Sequence, residues 1–295
     1  MVVRFGLFGT GFWAAETHGA GLSRNDQVEL VGVWGRDAGK ADALAARYGA
    51  RGYGDIDALL AEVDAVAIAL PPDVQAGIAA RAAEAGRHLM LDKPLAFTVA
   101  DADRVVDAAE AHGLSSRVFF TARFAPETER WLLQLADDGD WDGGEVTMFG
   151  NIFTEGNPYA GSTWRRTRGA LWDIGPHALS QLIAVLGPVG RVVAGAGRGD
   201  NVHLVMTHVS GASSTANVSL TAPPAAVRSG AYFFGPRGIS SKPEPVTTQH
   251  RAYDNALAEL IGAIGSGETA DRSDVRFGRD VVAVLAAAEA QLAVG

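Results

Sequence analysis

The sequence contains no cysteine, so it cannot form a disulfide, a thiolate metal site or a cysteine nucleophile. Basic side chains are in the minority, with 25 lysines and arginines against 34 aspartates and glutamates. A broad basic face for nucleic acid is therefore not expected. Apolar runs are short, and none approaches the roughly 18–20 residues needed to cross a bilayer. We expect a cytoplasmic protein whose partners include neither nucleic acid nor a membrane.

The 295 residues, 47% of them apolar, suffice for two domains with separate cores. Over residues 1–121, short apolar runs alternate with alanine-rich amphipathic segments, which is typical of a doubly wound α/β domain with a parallel sheet. Strands are predicted at residues 2–8, 28–34, 65–70, 88–91 and 117–121. Helices are predicted at residues 38–48, 73–85 and 100–112, and Gly49, Gly86 and Gly113 follow them as helix-ending residues.

Residues 122–295 show a different pattern and are predicted to form a second, α+β domain. A strand is predicted at 144–153, and closely spaced alternating runs predict antiparallel strands at 191–195, 202–210, 213–221 and 230–234. Helices are predicted at 126–136, 176–186, 253–264 and 274–293. The aromatic-rich segment 154–171 is expected to be irregular.

The run Gly9-Thr10-Gly11-Phe12-Trp13-Ala14 follows the first predicted strand and precedes a helix. In such a turn the first glycine permits a tight bend, the second lets a pyrophosphate approach the backbone, and a small third residue lets helix and strand pack closely. The helix N-terminus then offers free N–H groups to the phosphates. A turn with a purely structural role is the alternative interpretation.

The end of the second strand bears on which nicotinamide cofactor fits. An acidic residue there holds the ribose 2′-OH of NAD, whereas an arginine accommodates the 2′-phosphate of NADP. Gly35 stands where the acid is expected and Arg36 follows it, which favours NADP. Asp37 leaves NAD open, and Arg36 is alternatively a solvated loop charge.

Two further segments lie where strands of the predicted parallel sheet end, which is where doubly wound folds bind ligands. Leu70 and Pro71 could form a rigid apolar wall beside a cofactor, or could simply end a strand. Asp92-Lys93-Pro94 ends the next strand, and the proline restricts Lys93 to an extended backbone that can project its ammonium into a cleft. Lys93 could equally be a solvated surface charge.

Asp173 and His177 lie four residues apart at the start of a predicted helix with Pro176 in its first turn, so both can face one cleft. A histidine suits proton exchange with a hydroxyl near neutral pH, and a carboxylate one turn away can orient it or bind the same substrate. The structural alternative is a helix cap and a satisfied buried histidine. No metal is expected, because no third ligand is evident.

Together these motifs resemble the Gfo/Idh/MocA family of NAD(P)-dependent oxidoreductases. Leu70-Pro71-Pro72 stands where the family usually has Thr-Pro-Asn, Asp92-Lys93-Pro94 where it has Glu-Lys-Pro, and Gly169-x-Leu171-x-Asp173-x-Gly175-x-His177 completes the match. Residues 122–126 are similar to the family's Tyr-Arg-Phe-x-Pro. Three departures are the shorter Asp92, Gln75 in place of a frequent histidine, and a chain somewhat short for the family.

The resemblance implies a Rossmann domain followed by a substrate-binding and oligomerisation domain with an open, mainly antiparallel sheet. It also implies hydride transfer between NADP or NAD and a secondary alcohol or ketone of a sugar, cyclitol or related polyol. His177 would exchange the hydroxyl proton, Lys93 would stabilise the oxyanion, and Asp173 would hold the substrate or the imidazole. The expected cofactor residues are Gly9, Gly11, Phe12, Trp13, Ala14, Gly35, Arg36, Leu70, Pro71, Asp92 and Lys93. Arg123, Trp164 and Arg165 are substrate-side candidates, with ordinary packing and surface charge as the alternative.

Two other functions remain open on the same fold: a non-catalytic cofactor sensor and an enzyme that uses transient oxidation to assist glycoside cleavage. A sensor has no need of the proton-transfer set Lys93, Asp173 and His177. We also expect a homodimer or homotetramer. An open sheet would leave the alternating apolar side chains of strands 202–210 and 213–221 in water unless another subunit covers them.

Overall fold

The computed structural model describes residues 1–293, which form two compact units. The first unit comprises Met1–Phe124 and Thr247–Arg279. The second comprises Ala125–Val246 and the described residues from Asp280 onward. The sequence-based division after residue 121 does not include this return of the chain to the first unit.

The first unit is built on a parallel sheet of six strands in the order β3-β2-β1-β4-β5-β6. The strands are β1 (Val3–Phe8), β2 (Val28–Trp34), β3 (Arg51–Tyr53), β4 (Ala65–Ile68), β5 (His88–Asp92) and β6 (Ser116–Phe119). Buried apolar runs form the central strands, as expected for a sheet with helices on its faces. The doubly wound α/β class is thus confirmed, and β3 was not predicted because three residues are too few to show a pattern.

The helices of this segment are α1 (Ala20–Arg24), α2 (Ala38–Arg47), α3 (Ile56–Leu60), α4 (Pro72–Glu84) and α5 (Val99–Ala111). A π-helical stretch, Ala14–Gly19, leads directly into α1. Gly49, Gly86 and Gly113 follow α2, α4 and α5 with φ values of 69°, 76° and 60°. They end these helices in the left-handed conformation that glycine adopts without a steric penalty, as predicted.

The second unit contains a mixed sheet in the order β12-β11-β7-β10-β9-β8. Its strands are β7 (Gly143–Phe149), β8 (Val189–Ala196), β9 (Val202–His208), β10 (Ser213–Ser219), β11 (Arg228–Gly235) and β12 (Gly238–Ser241). Every pairing is antiparallel except that between β7 and β10. The open, mainly antiparallel sheet is confirmed, although β12 was not predicted.

The helices of the second unit are α6 (Pro126–Asp138), α7 (Thr163–Asp173) and α8 (Gly175–Leu186). The expectation of an irregular segment at 154–171 is wrong from Thr163 onward, where α7 begins. Gly169 interrupts α7 with a φ of 62°, and this kink hides the helical period in the sequence.

The two faces of this sheet differ from the expectation for strands 202–210 and 213–221. Leu204 and Met206 of β9 are fully buried, while His203, Val205 and Thr207 alternate with them on the exposed face. The apolar set that includes Leu204 and Met206 is therefore covered, whereas Val205 on the other face remains 54% exposed.

Helices α9 (Gln249–Ser266) and α10 (Val275–Leu292) complete the chain, and α10 is divided between the units at Arg279. Tyr253 and Leu257 of α9 join the core of the first unit. Arg117 of β6, buried to 4% exposure, lies 3.2 Å from a carboxylate oxygen of Asp271 and anchors the same returning segment. No helix within residues 1–293 is both long and apolar enough to span a membrane.

Candidate active site

The turn after β1 depends on Gly9, whose φ of 130° is open to glycine but not to other residues. A Cβ at this position would lie 2.5 Å from the carbonyl oxygen of Ala69 and 3.1 Å from the Cβ of Ala14. Ala14 is itself 1% exposed. The fold therefore requires glycine at position 9 and a small residue at position 14, whether or not a ligand binds.

Gly11 is a different case. A Cβ built on it would meet no described atom within 4 Å outside Gly11 and its two chain neighbours, and its φ is not in the left-handed region. Packing within the protein therefore gives no reason for glycine here. The open space lies at the start of the helical residues, where N–H groups have no partner within the helix. Gly11 is exposed to this open space, which leaves room for a pyrophosphate to approach the backbone.

Phe12 and Trp13 begin this helix and differ in exposure. Phe12 is 48% exposed, whereas the partly buried Trp13 stacks on Phe119 with 6.3 Å between ring centroids. Behind them lies the fully buried His18, whose Nδ1 is 3.2 Å from the hydroxyl of Tyr253. Burial lowers the pKa of His18 to about 3, so the ring is neutral at physiological pH. His18 was not singled out from the sequence, since only its contacts in the fold reveal this environment.

A cavity of about 520 Å³ opens beside this turn. Its size falls within the range of small-molecule sites. It is lined by Thr10, Gly11, Gly35, Arg36, Asp37, Lys40, Ala69, Leu70 and Pro71. The cavity thus brings together five of the predicted cofactor residues, and adds Thr10, Asp37, Lys40 and Ala69 to them.

The cavity wall after β2 carries both signs of charge. The Asp37 carboxylate caps α2 by accepting the Lys40 N–H at 3.1 Å, and it lies 3.9 Å from the Lys40 ammonium. Arg36 is exposed and makes no hydrogen bond or ion pair with any residue in 1–293. A Cβ at Gly35 would lie 2.6 Å from Cγ2 of Thr10, so an acidic side chain at position 35 would require Thr10 to change its rotamer.

Leu70 and Pro71 follow β4, and Pro71 is the residue that precedes α4. Asp92 ends β5, and its carboxylate accepts the Lys93 N–H at 2.9 Å. Asp92 and Lys93 are both half-buried, and the peptide bond between Lys93 and Pro94 is cis. Lys93 thus lies at the carboxyl edge of the parallel sheet, the edge at which Gly9 and Pro71 also follow their strands.

In the second unit, Asp173 is the last residue of α7 and His177 belongs to α8, with Ile174 between the two helices. The expectation that both would start one helix is therefore wrong, although the chain continues directly from one helix to the next. The Asp173 side chain, 9% exposed, lies 3.1 Å from Nε of Arg165.

Arg165 brings together most of the substrate-side candidates. Its guanidinium carbon lies 4.5 Å from the ring centroid of Trp164 and 4.6 Å from that of Tyr159, geometry that permits cation–π attraction. Tyr159 was not predicted as a site residue, because its contact with Arg165 depends on the local fold of the loop before α7. Arg123 belongs to the first unit instead, where it is 3% exposed and lies 5.2 Å from the ring of Phe277.

A glycine-containing βα turn at the carboxyl edge of a doubly wound sheet, with a cavity beside it, is typical of the class of dinucleotide-binding proteins. Residues 3–120 match the family model described as "Oxidoreductase family, NAD-binding Rossmann fold". Residues 132–239 match that of the GFO/IDH/MocA C-terminal domain. The chain belongs to the GFO/IDH/MocA family.

Curated relatives include an uncharacterized oxidoreductase of Rhizobium meliloti, ORF334, which is 33% identical over 61% of this chain and 54% of its own length. A dTDP-3,4-didehydro-2,6-dideoxy-alpha-D-glucose 3-reductase of Streptomyces violaceoruber is 29% identical over 97% of this chain and 93% of its own. As with ORF334, the chain spans about half of the length of several other curated relatives. Among solved structures, GenD2 from gentamicin A biosynthesis, in complex with NAD, shares the fold with a TM-score of 0.85, 22% identity, and coverage of 99% of this chain and 94% of its own.

The contrast between Gly9 and Gly11 gives a test of the turn. We expect Gly11→Val to keep the parental melting temperature and to lose the stabilisation that NADP or NAD confers, because the side chain fills space that only a ligand needs. Gly9→Val should instead lower the melting temperature of the free protein, since its Cβ meets the Ala69 carbonyl. Thermal unfolding with and without cofactor measures both effects. Unchanged cofactor stabilisation in Gly11→Val would contradict the site.

Proposed function

We propose that this chain is a dehydrogenase or reductase that transfers hydride between nicotinamide and a secondary alcohol or ketone of a sugar, cyclitol or related polyol. The observation that carries the proposal is the unfilled space at Gly11, continuous with a cavity that holds two cationic side chains. The dTDP-sugar 3-reductase, which aligns over 97% of this chain, supports a sugar-like substrate.

We further propose that NADP is preferred to NAD. Arg36 and Lys40 both line the cavity, and Arg36 has no protein partner in the described chain, so its guanidinium can bind a 2′-phosphate. Position 35 lacks the acid that would bind the ribose hydroxyls of NAD, and the Asp37 carboxylate is engaged at the start of α2. The NAD bound in the GenD2 structure is a property of that protein, and a sequence identity of 22% shows only that the two chains share a fold.

Arg36→Ala should weaken NADP binding by about 10–100-fold while changing NAD binding little, because only NADP presents the 2′-phosphate. Fluorescence titration of both cofactors measures the two dissociation constants. Arg47→Ala is a matched control: Arg47 is an exposed arginine of α2 that pairs with Glu16 and does not line the cavity. Equal losses for both cofactors, or tighter binding of NAD by the parent, would reverse the assignment.

The chemical roles that we propose follow from the functional groups. In the oxidation direction, His177 accepts the hydroxyl proton while the adjoining C–H bond gives up hydride, and the Lys93 ammonium stabilises the developing alkoxide. The reduction direction reverses these transfers. The cofactor, when bound, supplies the hydride acceptor or donor. Asp173, held by Arg165 at 3.1 Å, keeps the substrate or the imidazole in register.

Lys93→Ala and His177→Ala should each retain cofactor binding and melting temperature while turnover falls by a factor on the order of 10² or more. The pH profile of turnover by the parent should show a limb near neutrality, and this limb should disappear in His177→Ala. Turnover is read at the nicotinamide absorbance with a panel of sugars and polyols, and products are analysed chemically.

The same experiment separates the other functions. Cofactor binding with no turnover of any substrate would indicate a sensor, and cleaved glycosides without net redox change would indicate redox-assisted hydrolysis. Near-parental turnover in either variant would show that the residue is not the proton carrier or oxyanion stabiliser.

We also propose that the protein is a homodimer or homotetramer assembled through the exposed face of the second sheet. Val193 and Val205 are adjacent on β8 and β9 and remain 45% and 54% exposed, so a partner would remove apolar surface from water.

Light scattering at micromolar concentration should therefore show an oligomer, and Val205→Lys should dissociate it because a charge is costly to bury. Val209→Lys is the control, since Val209 is 73% exposed and lies beyond the end of β9. A monomeric parent would contradict this assembly.

A further inference from the structure

The strands β4 and β5 end at different levels, and this leaves one residue of the active-site edge without a strand neighbour on one side. The last pair between β4 and β5 is Ile68 with Leu91. Asp92, the next residue of β5, pairs with Phe119 of β6 on its other side. The backbone N–H and C=O of Asp92 that face β4 must therefore find other partners.

Gln75 provides them. Its side-chain oxygen accepts the Asp92 N–H at 3.2 Å, and its side-chain nitrogen donates to the Asp92 carbonyl at 2.7 Å. The primary amide thus makes the pair of hydrogen bonds, one accepted and one donated, that a neighbouring strand would make. Gln75 lies in the first turn of α4 and is fully buried.

The same nitrogen also lies 3.0 Å from the carbonyl oxygen of Pro94 and 3.4 Å from that of Leu95. One amide group therefore holds the backbone on both sides of Lys93. An amide is the side-chain group that suits this position, because it presents an acceptor and two donors on one plane. A carboxylate would place negative charge against three carbonyl oxygens, and an apolar side chain would leave the carbonyls without donors.

We propose that Gln75 is a positioning residue that fixes the Asp92–Lys93–Pro94 backbone and thereby places the Lys93 ammonium for hydride transfer. The part of this inference that concerns catalysis rests on the proposed function. Gln75 does not need to touch the substrate, because its effect is transmitted through the backbone that carries Lys93.

The first test compares Gln75→Met with the parent. Methionine approximates the size of glutamine but makes none of these hydrogen bonds, so we expect kcat to fall about 10–100-fold, the scale of a misplaced catalytic group. The dissociation constant of NADP should change by a smaller factor than kcat, because the turn at Gly11 and the Arg36 side chain belong to separate segments. Ile78→Val, in the same helix and at a buried position, controls for a general loss of packing and should keep the parental kcat.

The second test uses Gln75→Glu, which keeps the size and makes the donor depend on pH. Burial and the three carbonyl oxygens should raise the pKa of the introduced carboxyl group. The charged groups of the adjoining segment are Asp92 and Lys93. Below that pKa the neutral acid can donate one hydrogen bond, whereas above it the carboxylate cannot donate. The ratio of variant to parental kcat should therefore rise as the pH falls, and using the ratio removes the pH dependence of the parent.

Hydrogen exchange gives a readout that does not need turnover. Exchange in residues 88–97, followed by mass spectrometry, should be faster in Gln75→Met and unchanged in Ile78→Val. Parental kcat in Gln75→Met, unchanged exchange, or a pH-independent kcat ratio in Gln75→Glu would each overturn the proposal. If the parent turns over no substrate, the proposed function fails, and the exchange result alone then decides whether Gln75 fixes this backbone.

Discussion

The carboxyl ends of parallel strands leave backbone groups that need hydrogen-bond partners, and this requirement organises the edge of the first sheet that carries the candidate site. Just beyond β1, the Gly9 N–H donates to the Trp34 carbonyl at 2.9 Å. Just beyond β4, the Ala69 N–H donates to the Phe8 carbonyl at 2.9 Å. Since an unpaired buried backbone group costs about as much free energy as a lost hydrogen bond, these segments have little conformational freedom. The residues that follow the strands are therefore presented in defined positions.

The ionisable groups near this edge differ in how far they are buried. His18 is fully buried and its pKa is lowered to about 3, so it contributes no positive charge to the helix that follows the turn after β1. Arg36 and Lys40, by contrast, are exposed to solvent at the cavity wall. In the second unit, the largely buried Asp173 is compensated by Arg165. A buried carboxylate without such a partner would be costly, which explains why an arginine lies against it.

Local patterns in the sequence predicted much of this fold. Strand β2 was placed at its observed ends, and the glycines after α2, α4 and α5 have the positive φ values expected of helix-ending residues. Elements of three to five residues, such as β3 and α3, were missed because they are too short to show a period. The helix α7 was missed because Gly169 breaks its period. The parallel pairing of β7 with β10 depends on strands far apart in the sequence, which local patterns do not encode.

The candidate site shows the same limit more sharply, because the meaning of a residue type depends on a distant neighbour. Gly35 could be recognised as a missing acid, but only the structure shows that a Cβ there would approach Thr10. Gln75 could be recognised as a departure from the family pattern, yet its partner Asp92 is 17 residues away. An amide, a glycine or a small side chain carries no information about the group that it faces until the fold brings the two together. Sequence patterns therefore locate the chemistry-bearing residues, and long-range contacts determine how firmly each of them is held.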